Sequence, residues 1–216
     1  MKIAFSAAIR HKVNKIIIFT AEGVGVKMAL EEFLCKPEYA AIRIVAVRFP
    51  VGKRFSTAAG EARRVDFSDQ DKASFRTAGI PIIRANLPFD TIAPHLKSEG
   101  RLGQDFGFIS NALDVFGGGM SLCVQATMLA CDAGEIDEGE HVISMTADTA
   151  ILSRAATTSH FLTDFIVREI LCKPAVLTVI KNEEPNAQQI NLPLLSEPET
   201  KDNQPLLLPA SNDDNK

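Results

Sequence analysis

The sequence predicts an α/β protein, a three-layer α/β/α sandwich built on a mostly parallel mixed sheet. Three observations carry this. The run Ile16 to Phe19 is continuously apolar and rich in β-branched residues, which suits an interior strand covered on both faces. Similar runs alternate with helical patterns through the first half, implying βαβ units with right-handed crossovers. In the second half the strands follow one another with short connections, so at least one of them runs antiparallel.

Taken in order, Ile3, Ala7 and Val13 have helical spacing and predict a first helix that delivers the chain to a strand beginning at Lys15. Gly23 and Gly25 then turn the backbone into an amphipathic helix that runs to about Leu34 and stops before Pro37. A second strand, Ile42 to Phe49, leads into a basic, glycine-bearing exit loop from Arg48 to Gly60. Ser68, with Asp71 three positions on, marks the N-cap of a helix ending near Thr77, and Gly79 terminates it. Pro81 to Ala85 reads as a third strand and Asn86 to Pro94 as a loop. Leu102 to Val115 and Met120 to Ala133 read as helices separated by Gly117, Gly118 and Gly119, with the second stopping at Gly134. The closing strands are His141 to Thr146, Thr149 to Ser153 and Phe165 to Cys172.

A length of 216 residues suits one domain, placed at 1–180. Residues 181–216 hold five of the eleven prolines and little periodicity, so an irregular acidic tail is expected there. The tail's three lysines face seven carboxylates, an excess equal to the whole formal net charge of −4. The remainder is formally neutral, which argues against a nucleic-acid partner. Cys35, Cys123, Cys131 and Cys172 lie in apolar surroundings without CxxC spacing. Buried reduced thiols are expected rather than zinc, and with them a cytoplasmic location. The short apolar run Ile3 to Ile9, followed by Arg10, His11 and Lys12, fits an amphipathic helix rather than a secretory signal, and no stretch approaches membrane-spanning length.

Ligands on such sheets sit outside the carboxyl ends of the strands, near a switch in strand order. The loop Thr20, Ala21, Glu22, Gly23, Val24, Gly25 is the leading candidate, because a glycine turn into a helix start exposes N–H groups that hold a phosphate or carboxylate. The competing reading is a tight βα turn with close helix packing, since GxG spacing alone is weak. Arg48 and Lys53 at the next strand exit are candidate partners for a ligand anion, or solvated loop charges. Asn86 is a candidate hydrogen-bonding group at the third exit and Thr146 and Asp148 at the fourth; Gly117 and Gly118 offer a second backbone cradle or simply separate two helices. Ser159, His160 and Asp164 invite a hydrolase reading, but adjacency in sequence is not triad geometry. No histidine has a partner at metal-ligand spacing.

The segments FGGGMSLCVQATMLACDAGEIDEGEHVISM, ADTA and REILCKP, from Phe116 to Pro174, resemble the stand-alone family similar to the C-terminal α/β domain of pyruvate kinase. The strand-loop-helix from Lys15 to Leu34 resembles that family's first βα unit, and the likeness spreads over about 1–175. It implies a mixed-sheet α/β/α fold and a phosphorylated ligand such as flavin mononucleotide (FMN). Pyruvate kinase activity is not expected, because the chain has no room for the catalytic barrel. Two departures stand out. The family's hydroxyl-bearing first loop becomes Thr20 to Val26 with Glu22 in it, and its glycine-rich loop after the later strand shrinks to Met145, Thr146, Ala147, Asp148.

The functional expectation is therefore a domain binding a phosphorylated small molecule at the strand carboxyl ends. Its rivals are a flavin-dependent or phosphoryl-handling enzyme using the same cleft, and a homo-oligomeric interaction module that has lost its ligand. The shortened loop at Thr146 and the apolar helix Met120 to Ala133 motivate the last.

Overall fold

A computed structural model describes residues 1–56, 62–90 and 107–174, all within the compact unit Met1–Thr178. The expected tail at 181–216, the far end of the Arg48 to Gly60 loop, the Pro94 end of the third-strand loop and the expected helix start at Leu102 lie outside the described residues.

Helix α1 (Lys2–His11) buries Ala4, Phe5, Ala7 and Ala8 and ends at Lys12 in the left-handed conformation. Strand β1 (Lys15–Phe19) follows, with Ile16, Ile17 and Ile18 at most 2% exposed. Each such side chain contributes about 1.5–3 kcal/mol by leaving water. Helix α2 (Val24–Met28) continues without a break into a π-helical turn, Ala29–Phe33, whose widened coil turns both Ala29 and Phe33 inward. There Phe33 stacks on Phe5 at a centroid distance of 4.5 Å. Strand β2 (Arg43–Arg48) leads into a hairpin the sequence reading did not separate from its exit loop, β3 (Arg54–Ser56) and β4 (Ala62–Arg64). Three-residue strands dominated by arginine carry no alternation of apolar and polar residues, so they give no strand signal.

Helix α3 (Asp69–Thr77) starts as expected, with the Asp71 amide donating to Ser68 Oγ at 3.0 Å. Strand β5 (Ile82–Arg84), helix α4 (Gly107–Asp114) and helix α5 (Gly118–Asp132) come next. Helix α5 begins two residues earlier than the sequence suggests: Gly117, at φ 114°, makes the turn, and Gly118 and Gly119 already belong to the helix. Strands β6 (His141–Met145) and β7 (Ala150–Arg154), the short helix α6 (Phe161–Asp164) and strand β8 (Ile166–Cys172) close the fold.

The six-stranded sheet has the order β5-β2-β1-β6-β7-β8. Strands β5, β2, β1 and β6 are parallel, and β7 runs antiparallel to both its neighbours. Side chains alternate across the sheet, so Ile16, Ile18, Ile44 and Ala46 pack with α1, α2 and α3 on one face, while Ile17, Phe19, Val45 and Val47 pack with α5 on the other. The fold is α/β with helices on both faces of a mostly parallel mixed sheet. From β1 the chain winds outward through β2 to β5, then returns to place β6 on the other side of β1. The switch in strand order therefore falls between β1 and β6, whose Ile16 and Ile143, and Ile18 and Met145, are register partners.

Candidate functional site

At the carboxyl ends of β1 and β6 the structure holds a cleft of about 370 Å³, the position where open α/β sheets seat ligands. Its size lies within the range of small-molecule pockets. The floor is apolar, formed by Ile18, Phe19, Met145 and Leu122, with Phe49 from the β2 exit on one side. Val24 and Met28, one helical turn apart on α2, form the rim and remain 61% and 38% exposed. Polar groups enter at two points, Thr20 after β1 and Thr146 after β6.

Close packing accounts for both glycines of the first loop. Gly23 adopts φ 86°, and a β-carbon there would meet the Phe75 ring at 3.1 Å. At Gly25 a β-carbon would lie 3.0 Å from Ile18 Cγ2, so only glycine lets α2 approach β1 this closely. The Gly23 amide, offered by the sequence as an anion donor, donates instead to Thr20 Oγ1 at 3.1 Å, and the Gly23 carbonyl accepts from the amides of Val26 and Lys27. Glu22 points away from the cleft lining and pairs with Arg63 of the β3–β4 hairpin, so its charge does not plug the loop.

The other predicted residues separate into three places. Thr20, Ala21, Val24, Gly25 and Thr146 meet in the cleft. Lys53 stands beside it, with Nζ 5.9 Å from the ring centres of both Phe49 and Phe55. Arg48 is buried outside the lining, with its guanidinium 4.3 Å from the centre of the Phe67 ring and paired with Asp66. Asn86 is exposed beyond β5 and does not line the cleft. Gly117 and Gly118 open α5, and Gly119 abuts a compact turn after β6. In that turn Asp148 Oδ1 accepts from Thr146 Oγ1 at 3.1 Å and from Thr149 Oγ1 at 2.9 Å. A carboxylate thus already stands against the first turn of α5, where a helix carries partial positive charge.

Sequence reasoning missed the apolar lining and the partners of Arg48. A signal for the first exists: Val24 and Met28 are apolar at helical spacing on the face of α2 that β1 does not cover. Asp66, by contrast, gives no local hint of its role. Arg48 and Arg84 both donate to it, the latter at 2.7 Å, and these bonds hold its carboxyl well below the ordinary carboxylate range despite the opposing effect of burial.

Ser159, His160 and Asp164 do not assemble into a triad. His160 Nδ1 lies 2.8 Å from Glu138 Oε1, Ser159 Oγ lies 3.0 Å from Thr157 Oγ1, and Asp164 accepts from Arg154. The expectation of four buried thiols needs correction. Cys123 and Cys131 are buried, whereas Cys35 is exposed and Cys172 half-buried, because the first sits beyond the π-turn and the second on the edge strand β8. Among the described residues no group of His, Cys, Asp or Glu is placed to hold a metal, and no helix is long and apolar enough to cross a membrane. No known protein-family model matches the sequence.

Proposed function

We propose that the protein binds a phosphorylated small molecule with an apolar ring system in the cleft between β1 and β6, with FMN as the first candidate. The observation that carries this reading is the apolar cleft at the switch point, with Thr20 and Thr146 as its polar contacts. A planar ring suits a floor of Phe19, Leu122 and Met145, with the Thr20 hydroxyl at its edge to orient it. The negative end of such a ligand is favoured toward Lys53 and disfavoured toward Asp148 at the start of α5. The resemblance of Phe116 to Pro174 to the pyruvate kinase C-terminal family supports a phosphorylated ligand as well.

Thermal shift and calorimetry with FMN, riboflavin and inorganic phosphate test the reading. A ligand present at a hundredfold its Kd stabilises the native state by about 2.7 kcal/mol. FMN is expected to raise the melting temperature more than riboflavin. The Val24→Asp variant, which places a charge on the exposed rim without touching the core, is expected to abolish the effect. A melting temperature indifferent to FMN and to other phosphorylated ring compounds overturns the proposal.

A second reading is a homo-oligomeric interaction module in the cytoplasm. It is favoured by the exposed apolar side chains Phe108, Val115 and Leu162, at 67%, 73% and 79% accessibility. Light scattering that finds a monomer at all concentrations removes it.

A further inference from the structure

Away from the cleft, Arg48 and Arg84 are register partners at the carboxyl ends of the neighbouring parallel strands β2 and β5, so their side chains leave the same face of the sheet. Two cations side by side repel, and the fold sets one carboxylate, Asp66, between them. Lys72, from the first turns of α3, brings a third cation to 3.5 Å from the same carboxylate. Three cations thus converge on one partly exposed carboxylate, 26% open to solvent. Lys72 Nζ also donates to Asp69 Oδ1 at 3.0 Å, a carboxylate that is fully exposed to solvent. Nearby acids are committed elsewhere, Asp71 to Lys27 at 2.7 Å and Glu22 to Arg63.

Burial grades the cluster. The Arg48 side chain is 4% exposed and rests on Phe67, whereas Arg84 and Lys72 keep 28% and 27% of their side-chain surface open. One donor is left over inside it: Arg84 Nε is buried and has no acceptor. A desolvated donor on a cation is costly, although the same guanidinium reaches Asp66 through Nη2 at 2.7 Å.

We propose that Arg84 and Lys72, braced from behind by the Arg48–Asp66 pair, form a second binding site for a small oxyanion of the phosphate class. A guanidinium fork beside an ammonium matches a tetrahedral oxyanion, with paired N–H donors from the arginine and a point charge from the lysine. With Asp69 counted, the cluster holds three cations against two carboxylates, and this surplus of one positive charge favours a small oxyanion. Asp66 fixes the two arginines for the incoming anion and is not displaced by it. The site shares no residue with the cleft and stands whether or not FMN binds there.

Calorimetric titration with inorganic phosphate at constant ionic strength tests this on the full chain. Wild-type protein is expected to bind phosphate saturably, and Lys72→Gln to weaken it about tenfold, the effect of losing one charge-assisted bond. Lys72 keeps 27% of its side-chain surface open and belongs to no hydrophobic cluster, so the variant is expected to fold, with a melting temperature without phosphate close to that of wild type. Arg84→Gln is expected to weaken binding at least as much. The Val24→Asp variant separates the two sites: phosphate affinity unchanged there supports the β2–β5 site, while loss of binding assigns the anion to the cleft and overturns the proposal. Equal phosphate affinity in wild type and Lys72→Gln, or no saturable binding at millimolar phosphate, also overturns it.

Discussion

Gly119, in the first turn of α5, lies so close to Asp148 that a β-carbon on it would stand 2.7 Å from Oδ1 and nearer still to the hydroxyls of Thr146 and Thr149. The helix and the β6–β7 turn are thereby fitted to each other, with the carboxylate at the positive end of a 15-residue helix. Gly119→Ala is expected to destabilise the protein by about 1–3 kcal/mol through overpacking. Asp148→Asn, which removes only the charge, is expected to cost about 0.3–1 kcal/mol. Urea unfolding of both variants checks the ranking, and a cost for Gly119→Ala no larger than that for Asp148→Asn would contradict so close a fit between helix and turn.

Asp66 should be the carboxylate on which acid stability depends most. Its folded pKa is depressed below the ordinary 3.8, chiefly by the hydrogen bonds from Arg48 and Arg84 set against an opposing cost of burial. A depressed carboxyl contributes stability that is present above its unfolded pKa and lost as pH falls through the folded value. Asp66→Asn leaves the buried Arg48 without its counter-charge and is expected to cost about 3–5 kcal/mol at neutral pH. The variant should also show a flatter loss of stability below pH 4 than wild type, measured by denaturant melts across the acid range.

The six strands of the main sheet were legible because their signals are local. Four apolar residues at β1, and the Ser68 cap three positions ahead of Asp71, each report a state decided within one or two turns of chain. What escaped depends on residues brought together from afar. Arg48 faces solvent or ligand in any sequence reading, and only the folded chain places Asp66, eighteen residues on, against it. The glycines at 23 and 25 were visible as a turn, but Phe75 and Ile18, which make glycine necessary there, announce themselves only as core. Of the site, the two loops were foreseen, and the apolar floor connecting them was not, since Phe19, Leu122 and Met145 read individually as ordinary buried residues.

The Glu138–His160 pair gives a pH signature at the surface. Glu138 is lowered to about 2, mainly by hydrogen bonds from Thr157 and then from His160, and His160 is raised above its ordinary 6.5 by its hydrogen bond to Glu138. The glutamate's share is present above its ordinary 4.5 and fades as pH drops toward 2. The histidine's share is complete below 6.5 and fades as pH rises through its elevated folded pKa. Both shares coexist between about pH 4.5 and 6.5. An NMR titration of the His160 ring in wild type and Glu138→Gln should show the pKa falling back toward the ordinary value in the variant. An unchanged midpoint would mean that the pair does not persist in solution.

Thiol chemistry separates the four cysteines by their surroundings. Burial pushes Cys123 up to about 12 and Cys131 up to about 11, the latter with help from the carboxylates of Glu138 and Asp132. A thiol reagent attacks the thiolate, so neither group is reactive in the native state at neutral pH, and both lack access as well. Cys35 is exposed at the end of the π-turn, with its thiol donating to the Glu31 carbonyl at 3.2 Å. Titration with a chromogenic disulfide should therefore label Cys35 first, the half-buried Cys172 more slowly, and Cys123 and Cys131 only on unfolding. Because Cys123 sits in α5 against the sheet, its rate of labelling reports the opening of the core beneath the cleft. A ligand that stabilises the native state should slow labelling of Cys123 while leaving Cys35 unaffected. Rapid labelling of Cys123 in the native protein would contradict the burial of this thiol between α5 and the sheet.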